Sequence, residues 1–344
     1  MIAQPHEAVE IEDAGVPTRS GTLKVVKDVY SPELHNTRDI LVHLPASYEA
    51  AGRRYPVIYM HDGQNLFDDA TSFAGAWHVD EALAALDCED VEAIVVGIPN
   101  LGPKRIDEYS PFVDAHRRGG SGDRYLRFII QTLKPLIDRE FRTLPDRPHT
   151  GVIGSSMGGL ISLYAYFRHP DVFGFAGVMS PSLWFANGAI FPAIEKLALL
   201  PGRLYLDAGT GEGPGLLADV RRMRDILKRK PYRPGQDFLY VEDEGAGHNE
   251  AAWGRRLCDA LRFLIGAAAP ADAAEPGEPS IVKPGAAAED ASPSPRPDVP
   301  RQEPLQGARQ APSTEHVRFI IGEAAPADAA EPGKPGSAKP GAAA

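Results

Sequence analysis

The sequence predicts an α/β protein: a mostly parallel central sheet with helices on both faces. Three observations carry this. Short apolar runs alternate with helical patterns from about residue 21 to residue 266, the order that builds a parallel sheet covered on both sides. Runs such as YPVIYMH and VEAIVVGIP are apolar nearly throughout, as strands buried on both faces are. Hydrophobic residues make up 43% of the 344, enough for one sizeable core or a core plus a tail.

Taken in order, TLKVVKDVY and RDILVHL read as two early strands, paired antiparallel. YPVIYMH is a buried strand that ends in polar residues and Gly63. Residues 77–86 have helical spacing, and VEAIVVGIP is the next buried strand. Residues 125–141 place Leu126, Ile129, Ile130, Leu133, Leu136 and Ile137 on one face of an amphipathic helix. HTGVIG then reads as a strand, 157–169 as a helix, and FGFAGVMS and RLYLDAG as strands. The helix 216–228, the strand DFLYVED and the helix 250–265 complete the alternation. Ligands of such sheets bind beyond the carboxyl ends of the strands, so the chemistry is sought in the residues that follow each strand.

Composition changes near Gly266. From 267 to 344 the chain is mostly Ala, Pro, Gly and charge, too poor in apolar surface to offset its ordering entropy, and a disordered tail is expected. Residues 262–288 return in near-copy as 318–344, which reads as a partial duplication rather than a solenoid repeat. Residues 1–20 are expected to be a flexible N-terminus. They show no basic segment followed by an apolar one, so the expectation is a cytoplasmic protein without a secretory signal. No run approaches the roughly 18 apolar residues that would span a bilayer, so no membrane partner is expected. A net charge of −11 disfavours nucleic acid as a partner. Cys88 and Cys258 sit in no metal-ligand or disulfide pattern and are expected as buried or half-buried thiols.

Gly154-Ser155-Ser156-Met157-Gly158 fits Gly-x-Ser-x-Gly. In a chain with 34 glycines such a short match carries little by itself. Its setting carries more, because VIG ends a strand and GLISLYAYF begins a helix. A nucleophile elbow needs that strand–turn–helix frame, with glycines two residues either side of the serine to avoid collision. A glycine-rich helix start that binds an anion is the plainer alternative. Centred on Ser155, the flanking residues are Ile153 and Met157, and the glycine rule fails.

A serine hydroxyl needs a base, and the base needs an orienting acid. On this frame the chain order is Ser, acid, His. After Ser156, His169 closes a helix before Pro170, His316 lies in the tail, and His248 stands in EGAGHNEAAW between the last strand and last helix. His248 is therefore the expected base. The acid should follow RLYLDAG. Glu212, in the loop beyond the strand, is preferred to Asp207 inside it, while Asp243 and Glu244 stay open. Two backbone N–H groups should hold the oxyanion: that of Met157, and that of Gln64 in the loop His61-Asp62-Gly63-Gln64-Asn65. His61-Asp62 has no companion ligand cluster, and no metal is expected.

VIYMHDGQNLFD with Trp77, Arg105-x-x-Glu108-Tyr109-x-Pro111, GSSMGGLISLYAYFRHPDVFG, MSPSLWF, GTGE and GHNEAAW together resemble the Putative esterase family of the α/β hydrolases. That family includes enterochelin esterases, feruloyl esterases, esterase D and mycolyltransferases. The resemblance runs from about Leu23 to Ile265, with the motifs in family order. It implies the α/β-hydrolase fold, a Ser156–Glu212–His248 triad, and an oxyanion hole from Gln64 and Met157. It also implies Ser180 and Trp184 as residues lining the substrate pocket. Arg105 falls in a stretch that borders the site in relatives, and an Arg105–Glu108 pair is the structural alternative. The implied activity is hydrolysis of a small-molecule carboxylic ester or thioester through an acyl-enzyme, without a cofactor. No additional N-terminal β-domain of the kind found in some siderophore-trilactone esterases is evident, which weakens the expectation of a large polyaromatic substrate. An acyltransferase with the same triad, and a catalytically silent binding protein, are the alternatives.

Overall fold

The computed structural model of the chain describes residues 9–16 and 18–266. A short strand β1 (Ile11–Asp13) leads to β2 (Thr22–Ser31), β3 (Asn36–Leu44), β4 (Val57–His61), helix α1 (Val79–Ala84) and β5 (Ile94–Ile98). The one-turn helix α2 (Arg105–Glu108) and a small hairpin, β6 (Val113–Asp114) and β7 (Arg118–Gly119), come next. Then α3 (Gly122–Arg127) passes through a π-helical turn (Phe128–Leu133) into α4 (Lys134–Glu140). There follow β8 (Thr150–Ser155), α5 (Met157–Arg168), β9 (Phe175–Met179), α6 (Phe185–Gly188), α7 (Ile190–Glu195), β10 (Arg203–Gly209), α8 (Pro214–Lys228), β11 (Phe238–Asp243) and α9 (Glu250–Ile265).

The main sheet has nine strands in the order β1-β2-β3-β5-β4-β8-β9-β10-β11. The first three pairings are antiparallel, as expected for the early strands, and every pairing from β5 to β11 is parallel. β4, β5, β8 and β9 are buried along their whole length, which is why their sequences are runs and not alternations. β2 has partly exposed positions and is more polar. Parallel pairing brings the carboxyl ends of β4, β8, β9, β10 and β11 to one edge. Asp62, Ser156, Ser180, Thr210 and Glu244 each open a loop there.

The last helix illustrates how the sequence selects a face. Ala252, Trp253, Arg256, Leu257, Ala260, Leu261 and Leu264 are buried at helical spacing. The lower residues pack into a cluster with Trp77, Leu83 and Tyr205. The first turns put a tryptophan and an arginine against the loop edge of the sheet.

Three expectations change. Of the N-terminus expected as flexible, Ile11–Asp13 pairs antiparallel with Val26, Val25 and Lys24, and the Arg19 N–H donates to Asp80. The helix expected at 125–141 is an α–π–α stretch, with Pro135 at the start of α4. A proline has no N–H to give to the preceding turn, and the helix shifts register just ahead of it. Cys88 is exposed, on a 3₁₀ turn with no buried residue, whereas Cys258 is half-buried. The tail 267–344, with the second copy of the duplication, lies outside the described residues. Among the described residues no helix is long and apolar enough to cross a membrane.

Candidate active site

Ser156 is the one residue between the end of β8 and the start of α5. Its backbone sits at φ 56° and ψ −121°, a region that costs an L-residue energy and persists only where the surroundings enforce it. Two hydrogen bonds do so. The Ser156 N–H donates to Met179 O at 3.0 Å, and Ser156 O accepts from the Ser182 N–H at 2.9 Å. The flanking glycines admit the turn. A Cβ on Gly154 would lie 2.8 Å from the Gly158 carbonyl atoms and from His61 Cδ2, and one on Gly158 would press His61 Cβ at 3.3 Å. Ser155 is buried within the strand.

His248 occupies the β11–α9 loop, directly before Asn249, whose side chain caps α9 by accepting the Ala252 N–H at 2.9 Å. Its Nδ1 is 2.7 Å from Glu212 Oε2, and its ring meets Trp253 edge-on at 4.9 Å between centroids. The Glu212 side chain is fully buried. Burial alone would raise its pKa, but hydrogen bonds from His248, Ser180 and the Gly209 N–H together hold the carboxyl below its ordinary value. The two loops are tied, with the Gly211 N–H donating to Ala246 O at 3.0 Å and the Thr210 N–H to Asp243 O at 2.9 Å. Only glycine fits at 209, because a Cβ would stand 2.2 Å from Ala246 O and 2.9 Å from Glu212 Oε1.

Two of the other acid candidates, Asp207 and Asp243, face Arg256. Asp207 receives Arg256 Nε at 2.8 Å and the Ser180 N–H at 2.9 Å, and Asp243 receives Arg256 Nη1 at 3.2 Å. His169 caps the far end of α5, and His316 lies outside the described residues. Ser156 Oγ lies 3.1 Å from Ser182 Oγ. Among the described residues it makes no hydrogen bond to His248, and either hydroxyl of the Ser156–Ser182 pair can be the donor.

Met157 opens α5 and Gln64 is the centre of the 3₁₀ turn Gly63–Asn65. Among the described residues, neither backbone N–H is given to a protein acceptor. Asp62 anchors that turn in a left-handed conformation at φ 56°. Its carboxylate takes Arg105 Nε at 2.7 Å, Arg105 Nη2 at 2.8 Å and Asn100 Nδ2 at 2.7 Å, and its N–H donates to Tyr109 Oη at 2.9 Å. Gln64 Oε1 accepts the Asn100 N–H at 3.1 Å. Arg105 therefore pairs with Asp62, not with Glu108. Glu108 turns inward to a bidentate pair with Arg38 at 2.9 and 3.0 Å, both side chains nearly inaccessible. Burial pushes His61 down to about 3, so it stays neutral, with Nδ1 2.9 Å from Tyr125 Oη. Among the described residues no group of His, Cys, Asp and Glu is arranged to hold a metal.

Ser180, expected along the substrate pocket, is wholly buried. Its hydroxyl contacts Glu212, Trp253 and Arg256, so its polar atom is engaged inside the protein. Trp184 is 43% exposed, two residues beyond Ser182, with the Arg117 guanidinium 5.1 Å over its ring. Sequence reasoning passed over Asp62 as a support for the Gln64 turn, and over Ser182 and Arg256. For Arg256 a signal existed, since a charged residue falls on the apolar face of the last helix. A separate cleft of about 700 Å³, lined by His35, Asn36, Lys104, Asp107, Arg118 and Arg124 among others, does not include Ser156, Glu212 or His248.

The family model described as Putative esterase matches residues 31–264. The chain is 28% identical over 254 residues to the Bacillus subtilis protein YbbA, covering 70% of this chain and 98% of that one. The BES protein from Bacillus cereus shares its fold, with a TM-score of 0.60 at 22% identity over 76% of this chain and 100% of the other. The enterobactin esterase FES from Shigella flexneri does so with a TM-score of 0.57 at 20% identity, over 73% of this chain and 59% of the other.

Proposed function

The chain belongs to the Putative esterase family and is a carboxylic ester hydrolase of the α/β-hydrolase fold, and we propose that it cleaves its substrate by two acyl transfers through Ser156. In the first, Ser156 Oγ attacks the ester carbonyl while His248 Nε2 takes its proton. Glu212 accepts the His248 Nδ1–H, fixes the tautomer that leaves Nε2 free to act as base, and stabilises the imidazolium. The oxyanion is held by the Met157 and Gln64 N–H groups, a contribution on the order of 10²–10³ in rate per donor. His248 then protonates the leaving alcohol. In the second transfer water, deprotonated by His248, releases the acid. No step calls for a metal or an organic cofactor.

The observation that carries this reading is the backbone of Ser156, at φ 56° and ψ −121° between a strand and a helix. A non-glycine residue held in such a region by its surroundings, at the end of a strand on the loop edge of the sheet, supports a functional reading. Trp184, exposed two residues beyond Ser182 in the loop after β9, is the proposed contact for the substrate, a small-molecule ester. The name of the Shigella relative supports including enterobactin in the substrate screen. Hydrolysis of p-nitrophenyl acetate tests the mechanism. Ser156→Ala should reduce kcat to background while the protein stays folded, and a variant as active as the parent would sink the proposal.

A further inference from the structure

Behind Glu212 lies a buried polar cluster with no direct part in the two transfers: Ser180, Trp253, Arg256 and Asp207. Ser180 is completely buried, and Trp253 and Arg256 are each 5% exposed. A serine hydroxyl has one proton to donate and two lone pairs to accept with. Trp253 Nε1 lies 3.0 Å and Arg256 Nη2 2.9 Å from Ser180 Oγ. Both groups can only donate. With both lone pairs engaged, the serine's single proton has one acceptor left, Glu212 Oε1 at 2.6 Å. The direction of this hydrogen bond therefore follows from the identity of its neighbours.

We propose that Ser180, oriented by Trp253 and Arg256, is a positioning residue that sets the charge and direction of the triad acid. The inference rests on reading His248 and Glu212 as base and acid. Glu212 Oε1 receives the Ser180 hydroxyl and the Gly209 N–H, both at 2.6 Å, so Oε2 is left for His248 Nδ1 at 2.7 Å. Arg256 adds a cation 3.7 Å from Oε1. Its charge is shared with Asp207 at 2.8 Å and Asp243 at 3.2 Å, and Asp243 also faces Arg255 at 3.6 Å. His248 is the other ionisable group at the carboxylate. Trp253 and Arg256 lie three residues apart on α9, the helix that begins two residues after His248, so one element carries the base and the groups that aim the acid.

The pH dependence follows with a definite sign. The Ser180 hydroxyl stabilises the unprotonated, net-negative Glu212–His248 pair more than the pair that has gained a proton. Its removal raises the proton affinity of the pair. The acid limb of the kcat/KM profile then moves to higher pH, whichever of the two groups is assigned the proton. A side chain that only filled space would lower activity or stability without moving that limb.

The test is the pH profile of kcat/KM for p-nitrophenyl acetate in the full chain, comparing the parent with S180A and W253F, alongside S156A and the Tm of each. S180A should shift the acid limb up by about half to one pH unit and lower kcat more than it raises KM. W253F frees one lone pair of Ser180 and should shift the limb in the same direction by less. If S180A does not fold, the W253F shift carries the test. Ser156-dependent activity with unmoved acid limbs in the folded variants overturns this inference alone. Activity in the parent that does not depend on Ser156 overturns the reading of the site, and this inference with it.

Discussion

Ser156 opens one of the loops at the carboxyl edge of the sheet, and neighbouring loops of that edge are held by a charge or a close backbone approach. The clearest case is the Gln64 turn, where Arg105 clamps Asp62 with two hydrogen bonds. Burial would raise the Asp62 carboxyl, but Arg105 and Asn100 outweigh it and hold the group below its ordinary value. A carboxyl whose folded pKa lies below its unfolded one adds stability that is complete above about pH 4 and is lost as the pH falls through the folded value. Arg105→Gln leaves that buried carboxylate without its cation. It should cost about 3 kcal/mol at pH 7, read by urea denaturation, and the deficit should shrink at about pH 3, where Asp62 is protonated in the variant. A deficit independent of pH would show that the pair does not stabilise the turn through its charge. At this scale the sequence was legible where a residue acts through its neighbours along the chain, as Ser156 does between Gly154 and Gly158. It was not legible where the partner is remote: Arg105 sits one turn from Glu108 but pairs with Asp62, and Ser180 answers to Trp253 and Arg256 on the last helix.

Elements that alternate cleanly were readable because burial on both faces leaves only apolar runs, and β10 and α9 match the expected 203–209 and 250–265. β1 was not, because Ile-Glu-Asp has no apolar pattern and its only reason to be a strand is the free edge of β2. The π turn was hidden because the apolar spacing of 125–141 continues through it. Helix α9 ties element to site. Asn249 caps its first turn, and His248 is the residue before the cap. Asn249→Ala should cost about 1 kcal/mol of stability, measured by denaturant unfolding, and should lower kcat/KM by more than a surface substitution of equal stability cost. Equal losses would mean that the cap does not hold His248 in place.

At the scale of the whole molecule, the parallel half of the sheet makes the site possible. The carboxyl ends of β4, β8, β9, β10 and β11 share one edge, so residues as far apart in sequence as Asp62 and Arg256 converge there. The described fold places Ser156, Glu212 and His248 on three separate loops of that edge, and only a folded chain assembles them. A fluorophosphonate probe reads this assembly directly, because it reacts with an activated serine and leaves ordinary ones alone. Peptide mapping by mass spectrometry of the labelled, full-length protein is therefore the decisive measurement. The account predicts one adduct per chain, on Ser156, lost in Ser156→Ala and on heat denaturation before labelling. An unlabelled native protein, or an adduct on any other serine, would contradict it.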